Sequence, residues 1–98
     1  TYQAFEEAVE KPHIRTVHVD RERRCKVVRV RIPLNAKVIG KRLSEIPKPE
    51  KANIGVIARG DRILVPHDYI RVHAKDYFYL VGSFEDVDEF AHILTETE

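Results

Sequence analysis

Ile54-Gly-Val-Ile-Ala-Arg-Gly-Asp-Arg-Ile-Leu-Val-Pro66 decides how the rest of the chain is read. Two apolar runs, Ile54–Ala58 and Ile63–Val65, flank the pair Gly60-Asp61. Glycine takes positive φ at no steric cost, so Gly60 suits the first central position of a type II′ turn. The stretch therefore reads as a β-hairpin. Period two places Ile54, Val56 and Ala58 on one face, and Ile57 on the other beside Asn53, Gly55 and Arg59. Apolar residues on both faces predict a central strand covered on two sides. Pro66 has no N–H to donate and ends the second strand.

Working upstream, Pro47 and Pro49 force an extended connection into the hairpin. Before them, Gly40–Ile46 has room for one or two helical turns, with Leu43 and Ile46 facing inward at i, i+3. Cys25–Ile32 alternates. Val28, Val30 and Ile32 share one face while Arg29 and Arg31 take the other, the mark of a half-buried strand. Residues 14–19 (IRTVHV) can form a strand that pairs with it across the charged turn Asp20–Arg24. Tyr2, Phe5 and Val9, with Ala4 and Ala8 between them, have the spacing of a short amphipathic helix that Pro12 closes.

Downstream, Asp76–Gly82 (DYFYLVG) reads as a strong strand, with Phe78 and Leu80 opposite Tyr77, Tyr79 and Val81. Ser83 is a good N-cap, and Asp86 three residues on completes the pattern of a capping box. Phe84, Val87, Phe90, Ala91 and Leu94 then mark an amphipathic helix to about residue 95. Glu85, Asp86 and Asp88 complement its dipole.

The 98 residues fit one domain, and 43% hydrophobic content allows one modest core. No apolar run in the sequence is long enough to cross a bilayer, and no signal peptide is expected. The chain starts at Thr1 and contains no Met, so we expect a piece of a longer protein. A net charge of +1 argues against nucleic acid as the main partner. Arg21, Arg23, Arg24, Lys26, Arg29 and Arg31 nevertheless form a basic block, a pattern that is most often a solvated strand face and loop. The single Cys25 excludes an internal disulfide and a CxxC metal site.

Four segments in this order form a recognisable pattern. Ile39-Gly-Lys-Arg-Leu-Ser-Glu-Ile46, Ile54-Gly-Val-Ile-Ala-Arg-Gly60, Ile63-Leu-Val-Pro66 and Asp76-Tyr-Phe-Tyr-Leu-Val-Gly82 together resemble the TrkA-C domain, the C-terminal module of regulator-of-potassium-conductance (RCK) proteins. The pattern covers roughly residues 26–95. The resemblance implies an α+β fold, a small antiparallel β-sheet packed with helices. It divides the chain into residues 1–25, an N-terminal helix or linker with a possible extra strand, and a regulatory domain over 26–98. It further implies a homodimer at the cytoplasmic face of the membrane. There it would serve a membrane-embedded cation channel, transporter or antiporter, in the same chain or as a partner. The nucleotide-binding GxGxxG module that often precedes such domains is absent from the sequence.

Some members of that family bind cyclic di-AMP across the dimer two-fold. The matching positions here are Ile46, Asn53, Ile54, Arg62 and Pro66. Asn53 offers donor and acceptor to a base edge, and Arg62 could pair a phosphate bidentately. His67, Asp68, His73 and Asp76 supply ligand types for a divalent cation such as Zn or Ni, at a spacing that matches no tight motif. No catalytic constellation, P-loop or GxSxG is present, so the expectation is a non-enzymatic domain. The alternatives are a purely structural dimerisation module without a ligand and a small metal-binding protein or metal-dependent enzyme.

Overall fold

Alternation puts Val28 and Val30 on the same side of the sheet as Phe78 and Leu80, and all four are buried. The computed structural model describes residues 12–98; the helix expected over residues 2–10 lies outside them. Five strands follow in chain order: β1 (Ile14–Asp20), β2 (Cys25–Arg31), β3 (Ala52–Arg59), β4 (Arg62–Leu64) and β5 (Tyr77–Ser83). A 3-10 turn, Leu43–Glu45, lies between β2 and β3. One α-helix, α1 (Phe84–Thr95), follows β5. The sheet is antiparallel in the order β1-β2-β5-β3-β4. With α1 against β2, β5 and β3, the architecture is the expected α+β.

The strand expected over residues 14–19 forms as β1 and pairs with β2 across the charged turn. The hairpin also forms. Arg59 pairs with Arg62, Gly60 has φ of 62°, and Asp61 is not at positive φ, which matches the expected turn.

Two expectations about β3 need correction. β5, not β3, is the middle strand, with β2 on one side and β3 on the other. The inward residue after Ile54 is Ile57, not Val56. Ile54 pairs with Leu80 and Val56 with Tyr79, so Gly55 is an extra residue in a β-bulge. The bulge reverses the alternation. Ile57 is buried, while Val56 stays half-buried. Apolar residues on both faces of Ile54–Ala58 reflect this change of parity rather than a strand covered on both sides.

The amphipathic stripe of α1 buries Val87, Phe90, Ala91 and Leu94 against the sheet. Its N-terminus is capped differently from the reciprocal box in the sequence pattern. The Ser83 hydroxyl accepts from Asp86 N at 3.2 Å, but the Asp86 carboxylate accepts from Lys51 N at 2.7 Å. Ser83 N donates to Lys51 O at 3.0 Å, so the start of α1 is stapled to the chain entering β3. Arg24 pairs with Glu85 at 2.9 Å and Lys26 with Asp88 at 2.7 Å, so part of the basic block faces the acidic helix.

Leu80→Ala removes a fully buried side chain from the middle strand and should cost about 2–5 kcal/mol. A loss below half a kilocalorie, by urea unfolding, would contradict its inward placement. Gly82 has φ of 151°, and a Cβ there would overlap the Lys51 carbonyl oxygen and lie 2.8 Å from Ala52 Cα. Gly82→Ala should therefore destabilise by about 1–3 kcal/mol, the usual cost of overpacking against backbone. The same titration should show its midpoint falling with the slope unchanged.

Candidate functional site

Asp76 is the buried charged residue among the described ones, with 1% of its surface exposed. A carboxylate that deep needs a cation and hydrogen bonds to offset desolvation. Arg59, at the end of β3, supplies a bidentate pair, with Nε at 3.0 Å and Nη2 at 2.9 Å. His73 N donates to the same carboxylate at 3.0 Å. Arg59 Nη2 also reaches Arg71 O at 2.8 Å, and Arg71 Nη1 donates to Gly40 O at 2.8 Å. Main-chain bonds extend the connection. Gly40 N donates to Val72 O, Leu43 N to Ile70 O and Ser44 N to Asp68 O. The 3-10 turn is thereby fastened to the loop that follows β4.

Together these segments form one wall of a cleft of about 320 Å³, lined by Leu43, Ser44, Ile46, Lys48, Asn53, Ile54, Pro66, Asp68 and Phe90. The opposite wall is β3. β4 pairs with β3 only from Ile57 to Arg59, so the outer edge of Asn53–Val56 has no strand neighbour among the described residues. Phe90 of α1 and Ile46 are buried and give the cleft an apolar floor. Lys48 is its cation, and Nζ donates to Ala52 O at 2.9 Å. Asp68 adds a carboxylate. The lining is a mostly apolar surface with a few polar groups, as in small-molecule sites.

The structure brings Ile46, Asn53, Ile54 and Pro66 together on this cleft. Arg62 does not join them. It is exposed on β4 beside the turn, opposite Arg59. Lys48 stands in the cleft instead, a residue that sequence reasoning missed because the run Pro47-Lys48-Pro49 reads only as a connection.

The structure does not bring His67, Asp68, His73 and Asp76 into one group of ligands. No group of three or more metal-ligating side chains forms among the described residues. Asp76 is occupied by Arg59, the ring of His67 stacks on Tyr69 with centroids 5.4 Å apart, and Asp68 turns to the cleft. His73 contributes its main-chain N–H to Asp76 and is exposed.

The 3-10 turn is held by Glu45, whose Oε1 accepts from Arg42 N at 2.7 Å. That main-chain donor is the chief cause that holds the Glu45 carboxyl below its usual range, with the Arg42, Arg71 and Lys41 charges adding to it.

Arg59→Met would leave Asp76 buried and unpaired, and should cost about 3–5 kcal/mol in urea unfolding. An effect within ~0.5 kcal/mol, the range of ordinary surface substitutions, would show that the pair is dispensable. A second expectation follows from Glu45. A depressed folded-state pKa means that the carboxylate stabilises the turn above its ordinary titration range. That stabilisation is lost as pH falls through the lower folded value. On acidification, the Arg42 amide resonance should move with Glu45 titration, and Glu45→Gln should remove that step.

Comparison with known proteins agrees with this architecture. The model of the TrkA-C domain family matches residues 27–95. The Trk system potassium uptake protein TrkA homolog of Archaeoglobus fulgidus is 27% identical over 59 residues, which is 60% of this chain and 14% of that protein. The chain thus spans about one seventh of that curated relative's length. A solved structure described as "Structure of RCK domain with cda" superposes with a TM-score of 0.62 at 25% identity, covering 69% of this chain and 96% of that one. The family match extends from β2 to the last turn of α1, so the chain belongs to the TrkA-C domain family.

Proposed function

We propose that this domain is a regulatory module of a potassium or other cation transport system. It works as a homodimer at the cytoplasmic face of the membrane and binds a cyclic dinucleotide, with cyclic di-AMP the first candidate. The observation that carries this reading is the convergence of Ile46, Asn53, Ile54 and Pro66 on one cleft. Supporting it are the matching family model, the relative named for a Trk potassium uptake system and the neighbouring RCK domain described with cda.

The cleft's chemistry suits one half of such a ligand. Its volume of about 320 Å³ is at the lower end for small-molecule pockets. Ile46, Ile54 and Phe90 offer apolar surface to a purine face. The open edge of β3 and Asn53 offer donors and acceptors to base edges, and Lys48 offers a charge to a phosphate. Two copies about a two-fold axis double each group, which fits a ligand that is itself two-fold symmetric. Regulation then requires that the ligand bind two arrangements of the dimer unequally, because equal affinity shifts nothing. No described helix is long and apolar enough to cross a membrane, so coupling to a transporter would run through chain outside the described residues or through a partner.

Titration calorimetry with cyclic di-AMP, with sedimentation equilibrium on the same sample, tests the reading. Binding should saturate at one ligand per dimer. At about 100 times the dissociation constant, the ligand should add about 2.7 kcal/mol to stability. Lys48→Ala should weaken binding by about 1.5–3 kcal/mol, the range for a hydrogen bond to a charged group. Arg62→Ala should weaken it less, unless the partner copy brings its own Arg62 to the cleft. No heat and no thermal shift from the unsubstituted dimer would leave a structural dimerisation module, and a monomer at micromolar concentration would remove the two-fold site.

A further inference from the structure

One face of the sheet is packed by α1, which carries Glu85, Asp86, Asp88 and Glu89 and neither Lys nor Arg. Arg24 and Lys26 offset two of these carboxylates, Glu85 and Asp88. The opposite face carries the other sign. Residues directly opposite in an antiparallel pair share a face, so the register puts Arg15, Arg29 and Arg31 together there with Tyr77 and Tyr79. Arg15 stands against Arg29, a like-charge pair that weakens a ladder, and Arg31 is two residues further along β2. None of the three is in an ion pair among the described residues. Asp20 and His18 share the face at the far end of β1, where Arg23 holds the Asp20 carboxylate at 3.0 Å. Arg29 packs over the Tyr77 ring at 4.7 Å, which keeps its guanidinium close to the middle strand. The remainder of the face is apolar, with Val27 against Val81 and Ala58 between Tyr77 and Ile63. Val81 keeps 37% of its surface exposed, and Ile63, at the rim, keeps 68%. A net charge of +1 thus conceals a polarised domain, basic and aromatic on one side and acidic on the other.

We propose that the face bearing Arg15, Arg29, Arg31, Tyr77 and Tyr79 docks on an anionic lipid bilayer. The chemistry of the two surfaces is complementary. Arginine pairs phosphate oxygens bidentately, and tyrosine settles at the level of the headgroups, with its ring in apolar surroundings and its hydroxyl in water. Ile63 offers an exposed aliphatic side chain to the same boundary. The groups are also spread as a bilayer requires. Arg15 and Ile63 stand on the two outermost strands, β1 and β4, which are about 19 Å apart at ~4.8 Å per strand. Lipid phosphates form a plane and can meet groups over that whole width, whereas an acidic helix or strand of another protein would cover only a strip of it. The polarity of the domain sets its orientation, because Asp86 and Glu89 on α1 are repelled from the surface that attracts the arginines. A second copy fits the face worse, because two-fold contact through it would set Arg15, Arg29 and Arg31 against their own images. The docking rests on the membrane location given under the proposed function, but not on the ligand.

Co-sedimentation with vesicles tests the docking. The full chain is mixed with phosphatidylcholine vesicles that contain or lack phosphatidylglycerol, without any cyclic dinucleotide. Binding should require phosphatidylglycerol and fade as salt rises, since screening shortens the reach of the surface charge. A basic residue close to an anionic surface is worth about fivefold in partition, so the double variant Arg29→Gln, Arg31→Gln should bind about 25-fold more weakly. Arg24→Gln with Lys37→Gln removes the same charge from residues paired with Glu85 and Glu96, and should weaken binding far less. A second readout leaves every arginine in place. An environment-sensitive dye on Ile63→Cys, in a Cys25→Ser background, should brighten when phosphatidylglycerol vesicles are added, and the same dye on Glu89→Cys should not. No binding, binding without phosphatidylglycerol, equal losses from the two double variants, or brightening at position 89 would overturn the proposal. So would binding to polyglutamate in preference to vesicles, which would give the face to an acidic protein. None of these outcomes bears on the cleft, whose ligand calorimetry decides separately.

Discussion

The ion pair between Arg59 and Asp76 is the constraint from which the rest of the arrangement follows. Asp76 is 1% exposed and precedes the middle strand of the sheet. Its carboxylate takes three donors, two from Arg59 and one from His73 N. Its main chain also matters, because Ile32 N donates to Asp76 O at 2.8 Å where β2 ends. One residue thus joins the ends of β2, β3 and β5. A buried pair of this kind adds little net stability compared with a well-packed apolar core, yet losing one partner is costly. Its effect is on geometry. It fastens the turn end of the hairpin, at Arg59, to the end of the loop that leads into β5, at Asp76. Through Arg71 and Gly40 it also fixes the 3-10 turn on the rim of the cleft.

Much of the fold was legible in the sequence because its signals are local. Alternation in Cys25–Ile32 and Asp76–Gly82, glycine at the hairpin turn and the serine before α1 each act within a few residues. The difficulties are all non-local. Gly55 looks like any strand residue, and only the pairing with Tyr79 and Leu80 turns it into a bulge that sends Ile57 inward. Asp86 has the spacing of a capping box, but the amide of Lys51, far away in sequence, takes its carboxylate. Asp76 has the chemistry of a metal ligand, and only the position of Arg59 commits it elsewhere.

The candidate site divides along the same line. Ile46, Asn53, Ile54 and Pro66 were found by matching a family pattern, and the cleft joins them because that pattern reflects shared topology. Arg62 comes from the same family match, with a charge that suits a phosphate, and the cleft leaves it out. β4 is only three residues long and pairs with the far end of β3, so its first residue cannot share the edge on which Asn53 lies. Lys48 was invisible because nothing in Pro47-Lys48-Pro49 shows which way a connection passes. Its bond to Ala52 O, which brings it back over the start of β3, exists only in the folded chain.

These placements make the start of β3 the point where separate parts of the domain meet. Lys51 holds the first turn of α1 through Asp86 and Ser83. Ala52 accepts from Lys48, and Asn53 and Ile54 form the strand wall of the cleft. Across the ladder, Asn53 faces Val81 on the open side of the sheet while Ile54 faces Leu80 on the packed side. Gly82 closes β5 against the same segment so tightly that no Cβ fits. A displacement of Ala52–Ile54 by a group entering the cleft would therefore strain α1 and both sheet faces together. Close-packed elements tend to switch between discrete arrangements rather than deform by degrees. That makes this segment, rather than the more exposed hairpin tip, the place where occupancy of the cleft would be felt by the rest of the domain.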